Sequence, residues 1–164
     1  MSNRTRKLTF LGIMLALSAV LSFIPIPGYP TTSFDSLPGY FVAIFINPLY
    51  GGIVALLGHV VTAFIHGMPL SIIGHIIVSI SMFIAAYSFG FIFRKGNAFF
   101  IIMAVVIAAL LNIYSSMPFL AWILKTPWPF LLSLQVPLLV ASTANIVLAI
   151  LVYLSLKNIS FSIE

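Results

Sequence analysis

Asn47-Pro48-Leu49-Tyr50-Gly51-Gly52 interrupts an apolar stretch that otherwise runs from Pro38 to His66. Whether the chain turns there decides the fold. A helix rarely continues through the residue before a proline, because the pyrrolidine ring crowds the preceding backbone. Read as a break, the stretch becomes two short spans, about 38–47 and 51–66. Working outward, the other apolar runs cover about 8–24, 70–93, 98–115 and 131–156. Each of these four meets the practical minimum of about 17 residues for a spanning helix.

Composition supports a bilayer setting. Of 164 residues, 62% are hydrophobic and 5% charged, against roughly 25% charged in soluble domains; the mean hydropathy is +1.25. So little polar material cannot cover a water-soluble globule. A cytosolic enzyme, a nucleic-acid binder and a disordered chain are excluded. With no cysteine, disulfides, thiolate chemistry and Cys-based metal sites are absent as well.

The charges then count the spans. With six spans and the N-terminus inside, Arg4, Arg6, Lys7, Arg94, Lys95 and Lys157 lie on the cytoplasmic side and only Lys125 lies outside. A continuous helix over 38–66 gives five spans and scatters these residues across both sides. The positive-inside rule selects six. The sequence therefore predicts an all-α polytopic protein of the cell membrane, a six-helix bundle with both termini cytoplasmic, forming a single domain over 1–164. The first run has a basic start like a signal peptide, but five more hydrophobic segments follow, so it reads as a retained helix. Two longer loops, 25–37 and 117–130, both fall on the outer side and read as lids.

Several chemistries have no residues to perform them. The chain lacks a phosphate-cradling Gly-x-x-x-x-Gly-Lys-Ser/Thr loop, a Gly-x-Ser-x-Gly elbow and a His-Glu-x-x-His pair. Asp35 is the one carboxylate before the terminal Glu164, which excludes paired-carboxylate acid/base work. No two histidines have the i, i+4 spacing of a helical chelate. No metal and no cofactor is expected.

Intramembrane polar groups are costly, so their placement is informative. His59, Thr62 and His66 share one helix face; Ser71, His75 and Ser79 share another; Gln135, Ser142 and Asn145 mark the entering half of the last span. By depth, the outer half collects Asp35, Tyr40, His66, His75, Asn112 and Gln135, and the two long loops add Tyr29, Trp122 and Trp128. These nine residues are the candidate substrate-binding set for an outward-facing cavity. Each also has a plainer reading: back-bonded hydroxyls, interfacial aromatics, paired histidines, and Asp35 as a cap on the second helix. With Lys125 the only fixed positive charge outside, an anionic ligand lacks its usual partners. A neutral or mildly basic heterocycle bearing hydroxyls suits the set. Gly12 and Ala16, four residues apart with Ala19 adjoining, form a small-residue face suited to close approach by another helix.

The stretch Ser33-Phe34-Asp35-Ser36-Leu37-Pro38-Gly39-Tyr40-Phe41, followed by Asn47-Pro48-Leu49-Tyr50-Gly51-Gly52 and Gly58-His59, resembles the substrate-binding S components of energy-coupling factor (ECF) vitamin transporters. It is most similar to the branch associated with the cobalamin precursor alpha-ribazole. The Met-His amino-terminal motif of the nickel and cobalt members is missing. The resemblance implies a subunit that captures a vitamin or precursor outside, docks on a membrane scaffold subunit driven by two ATPase subunits, and topples to release its cargo. The family's Ala-x-x-x-Ala scaffold contact on the first helix has Gly12-x-x-x-Ala16 as its counterpart here. Two other classes remain open at this point. One is a small membrane enzyme using His59, His66 or His75 as acid/base; the other is a structural or assembly membrane protein without a small ligand.

Overall fold

Pro48 opens a new helix in the computed structural model, which describes residues 3–158. Asn47 is extended and accepts a hydrogen bond on its side chain from the Leu49 amide at 2.8 Å, a cap that starts a helix at Pro48. The elements in chain order are α1 (Asn3–Leu21), β1 (Pro25–Ile26), β2 (Tyr29–Ser33), α2 (Leu37–Phe45), α3 (Pro48–Ile65), α4 (Ser71–Phe93), α5 (Ala98–Tyr114), α6 (Met117–Ile123), α7 (Trp128–Ser133) and α8 (Gln135–Leu156). Across the turn at Asn47, Gly39 faces Ala55 and Ala43 faces Gly51. Helices α2 and α3 therefore run antiparallel.

Nine residues of helix rise only about 14 Å, roughly half the hydrocarbon thickness. Helix α2 compensates by being enclosed: every residue from Pro38 to Ile44 is buried, packed against α3, α8, α4 and α1. Its side chains form the heart of the core with Val54, Met82, Phe89, Ala104, Ala108 and Ile146. Small residues allow this. A Cβ on Gly39 would lie 2.7 Å from the Cβ of Ala55, one on Gly90 would lie 2.6 Å from the Ala43 carbonyl, and one on Gly51 would collide with the Ala43 backbone.

The outer surfaces of the long helices are apolar. Ile72, Ile76, Ile80 and Ile84 line the exposed side of α4, Phe99, Ile102, Val106 and Leu110 that of α5, and Val147, Leu148 and Leu151 that of α8. Four helical stretches are long and apolar enough to cross a bilayer: Pro48–Ile65, Ser71–Phe93, Ala98–Ile123 and Trp128–Leu156. Water does not tolerate such continuous patches, whereas lipid does. The chain is a membrane protein of the all-α class, mostly helical with one short hairpin.

Details depart from the sequence expectation. The first helix spans Asn3–Leu21 rather than 8–24. The 25–37 segment, expected as a plain loop, carries the antiparallel hairpin β1–β2, turned at Gly28, whose φ of 83° suits a residue without a Cβ. The 117–130 segment folds into α6, buried through Met117 and Leu120, and the start of α7, which is buried at Leu131 just beyond it. The last run is divided at Leu134 into α7 and α8.

Charge is segregated along the bundle. At one end the Arg94 guanidinium donates to the Ile46 carbonyl at 3.2 Å, Lys7 lies 5.4 Å from the centre of the Tyr50 ring, and Arg94 and Lys157 border one cleft. Lys125 follows α6 at the other end of α4, where Leu124 sits beside Gly74.

Adding one methyl separates the tight glycines from the open one. Gly51→Ala is expected to destabilise the protein by about 3 kcal/mol, the upper range for overpacking. Gly12→Ala, which meets nothing within 4 Å, is expected to be neutral or slightly stabilising in thermal unfolding in detergent.

Candidate binding site

A cavity of about 690 Å³ opens between the hairpin, α3, α4, α5, the α6–α7 segment and α8. That lies within the 300–1,000 Å³ typical of small-molecule sites. Its two sides differ in chemistry. Asp35, His59, Thr62, His66, His75, Asn112, Ser142 and Asn145 supply a polar side, and Val78, Met82, Ile113, Leu120, Phe130, Leu131, Leu134 and Leu138 an apolar one. Neither lysine nor arginine is among the lining residues; Asp35 is the only carboxylate.

Asp35 occupies the segment between β2 and α2, two residues before α2 begins. Ser36, not Asp35, holds the N-cap position, and it makes no side-chain capping bond. Burial pushes the Asp35 carboxyl up from 3.8 to about 6, since a charge is poorly solvated away from water. The hydroxyls of Thr62 and Ser33 and the Ser36 amide oppose that rise. The Thr62 hydroxyl lies close enough to the carboxyl to favour its charged form without reaching hydrogen-bond geometry.

The histidines form a directed chain. A backbone N–H can only donate, so the Leu70 amide, 3.3 Å from His75 Nε2, requires a lone pair there. The His75 proton then sits on Nδ1 and is donated to His59 Nε2 at 3.2 Å. The remaining His59 proton is on Nδ1, which faces Asp35 Oδ2 at 4.0 Å. Both rings are thus neutral, with tautomers assigned by their donors. The sharp α3–α4 turn makes this possible: Gly67, Met68 and Ser71 all have positive φ, which brings the Leu70 amide over His75. His66 stands apart, with Nε2 donating to the Ser22 carbonyl at 3.3 Å and its ring against Phe23.

Asn145, completely buried on α8, donates from Nδ2 to the Ser33 carbonyl at 3.0 Å and to the Ala141 carbonyl at 2.9 Å. It therefore ties strand β2 to α8. Its Oδ1 has no partner among the described residues, and neither do the Thr62 and Ser142 hydroxyls.

The candidates read from sequence are distributed as follows. Asp35, His66, His75 and Asn112 line the cavity. Tyr40 is buried outside it, edge-on to Phe89 with ring centres 5.5 Å apart. Tyr29 is half-buried in β2, Gln135 is half-buried at the start of α8, and neither borders the cavity. Trp122 and Trp128 are 73% and 52% exposed and lie outside the cavity wall. Of the eight polar residues named above, four are not in the candidate set: His59, Thr62, Ser142 and Asn145. Their signal was in the sequence as same-face spacing, i, i+3 on α3 and again on α8, but depth counted from the span ends set them aside. On α1, Gly12 and Ala16 are exposed and Ala19 is half-buried. The other small-residue pairs, Gly51 with Ala55 and Ala86 with Gly90, are buried inside the bundle.

Comparison with known families places this geometry in context. The family model described as "ECF transporter, substrate-specific component" matches residues 6–160, nearly the whole chain. Comparison with curated proteins gives no match. The chain belongs to the ECF transporter substrate-specific component family: it is an integral membrane protein that captures a small-molecule substrate for a complex with scaffold and ATPase subunits, and it is not an enzyme.

The raised Asp35 carboxyl carries a pH signature. Its folded value of about 6 exceeds the unfolded 3.8, so its contribution to stability is complete below about pH 4 and is lost as pH rises through 6. The melting temperature of the ligand-free protein, taken relative to that of Asp35→Asn, is therefore expected to fall as pH rises from about 3 to about 7. Over that whole range the difference between the two proteins should change by about 3 kcal/mol, and a difference that does not change with pH would contradict a raised Asp35 carboxyl.

Proposed function

We propose, taking membership of that family as the premise, that this chain captures a neutral heterocyclic vitamin or vitamin precursor in the cavity described above, with alpha-ribazole as the best candidate. The observation that carries the reading is electrostatic. A cavity with no lysine or arginine and two neutral histidines has nothing to balance a phosphate or carboxylate. It offers an apolar wall for a ring system and hydrogen-bonding groups for hydroxyls opposite. Alpha-ribazole, an uncharged dimethylbenzimidazole carrying a ribose, has both.

In the bilayer the chain forms six spans with both termini in the cytoplasm of the cell membrane, α2 being the short second span. The clustering of Arg94, Lys7 and Lys157 at one end supports that orientation through the positive-inside rule, and leaves the cavity opening outward. The exposed Gly12 and Ala16 of α1, with Ala19 beside them, form the scaffold-contact face. Small residues let a scaffold helix approach α1 closely. Docking there, followed by toppling in the bilayer driven by two ATPase subunits, delivers the cargo inside.

Two experiments separate capture from docking. Calorimetric titration of the purified protein with alpha-ribazole is expected to show one site, weakened at least about tenfold by Asp35→Asn or His75→Ala, the loss of one charge-assisted or buried hydrogen bond. Unchanged affinity in both variants would move the site elsewhere. Gly12→Leu should leave that affinity intact but abolish uptake by cells and co-purification with the scaffold subunit. Normal uptake would remove α1 as the docking face.

A further inference from the structure

The helix hydroxyls of this protein follow a rule with informative exceptions. Ser79 donates to the His75 carbonyl at 2.6 Å, Ser81 to Ile77 at 3.2 Å and Ser155 to Leu151 at 3.0 Å, the usual i−4 back-bond of a hydroxyl in a membrane helix. Thr62 and Ser142 are buried, as Ser79 and Ser81 are, and make no such bond. Both line the cavity, one on α3 and one on α8, and the partnerless Oδ1 of Asn145 lines it too. Ser18 Oγ and Tyr40 OH also lack a hydrogen bond and do not line it; the Tyr40 OH is the nearby protein group toward the Ser142 hydroxyl, short of hydrogen-bond geometry.

We propose that Thr62, Ser142 and Asn145 Oδ1, beside the Asp35 carboxylate, form a subsite reserved for the hydroxyl donors of the captured molecule, so that the site takes a neutral hydroxylated glycoside of an apolar ring and rejects its phosphate ester. The inference rests on the capture reading above and specifies which end of the ligand goes where. Asn145 gives the subsite its polarity. Both of its N–H groups are directed at backbone carbonyls, so the amide cannot flip to offer a donor, and Oδ1 can only accept. Asp35 likewise accepts when ionised. Two fixed acceptors attract hydroxyl or N–H donors and repel phosphate oxygens. The Thr62 and Ser142 hydroxyls, free of back-bonds, turn to accept from or donate to whatever the two acceptors position. A buried polar group left without a partner disfavours the ligand-free fold. A site built to bond a hydroxyl discriminates strongly against an analogue that lacks it, for the same reason.

The test combines two readouts on Thr62→Val, Ser142→Ala and the unaltered protein: melting of the ligand-free form, and dissociation constants for four probes. The probes are alpha-ribazole, 5,6-dimethylbenzimidazole (its ring without the sugar), alpha-ribazole 5′-phosphate, and lipoate, an anion with no hydroxyl or N–H donor. The glycoside should bind tightest and the phosphate at least a hundredfold more weakly. Each substitution should weaken the glycoside about three- to tenfold, leave the bare ring unchanged, and leave melting of the free protein unchanged or higher. A purely structural role for these hydroxyls would lower melting and move every probe alike, which overturns the proposal. Phosphate ester binding as tightly as the glycoside overturns it too. Tight binding of lipoate in place of the glycoside would overturn it while leaving capture of a small molecule standing. Failure of all four probes to bind overturns the ligand class itself.

Discussion

Ala43 has no free space around it. Gly51 of α3 and Gly90 of α4 both press on its backbone, and one turn away Gly39 presses on Ala55. This close approach of α2 to its neighbours is the constraint from which the rest of the structure follows. Helix α2 is too short to cross a bilayer alone, and its carbonyls and apolar side chains are viable there only inside a sheath of other helices. Because the sheath is tight, α2 is held in one place, and so is the segment that leads into it. That segment carries Asp35 and Ser36, which therefore meet α3 at Thr62 and His59 and form the polar side of the cavity.

Polar groups in this molecule are arranged with economy. The interior histidines are linked in one direction from the Leu70 amide toward Asp35, and Asn145 pins the hairpin to α8. Ser79 and Ser81 bond their own backbone, whereas Ser18 and Ser142 do not. The cavity groups without partners lie on α3 and α8, on the walls of a space with room for another molecule. A protein with a minimal core would gain by filling or removing them; a capture subunit gains by keeping them available. Stability and function are in tension at these few atoms, as is common where a site must be unsatisfied until its ligand arrives.

The sequence reading was accurate where local chemistry dominates. Asn47-Pro48 marked the turn between α2 and α3 because capping and the pre-proline restriction act within a few residues. Asp35, His66, His75 and Asn112 were placed together by depth alone, and the structure brings all four to the cavity wall. Depth failed where direction matters. Tyr40 is at the right level but points into the core against Phe89, and Trp122 and Trp128 lie in the right segment but on its outside. Asn145 looked too deep, yet α8 is aligned against β2 so that the cavity reaches down to it. The hairpin itself was invisible in a Pro-rich stretch, since its pairing depends on the Gly28 turn and on an α8 side chain more than a hundred residues away.

The central claim is that this cavity holds an uncharged, hydroxyl-bearing small molecule. Native mass spectrometry of the chain extracted gently from membranes, before and after incubation with alpha-ribazole, tests it most directly. The expected result is a one-to-one adduct with a neutral small molecule, exchanged for alpha-ribazole when the latter is in excess. A bare chain after that incubation, or an adduct with a phosphorylated or carboxylated compound that alpha-ribazole cannot displace, would contradict it.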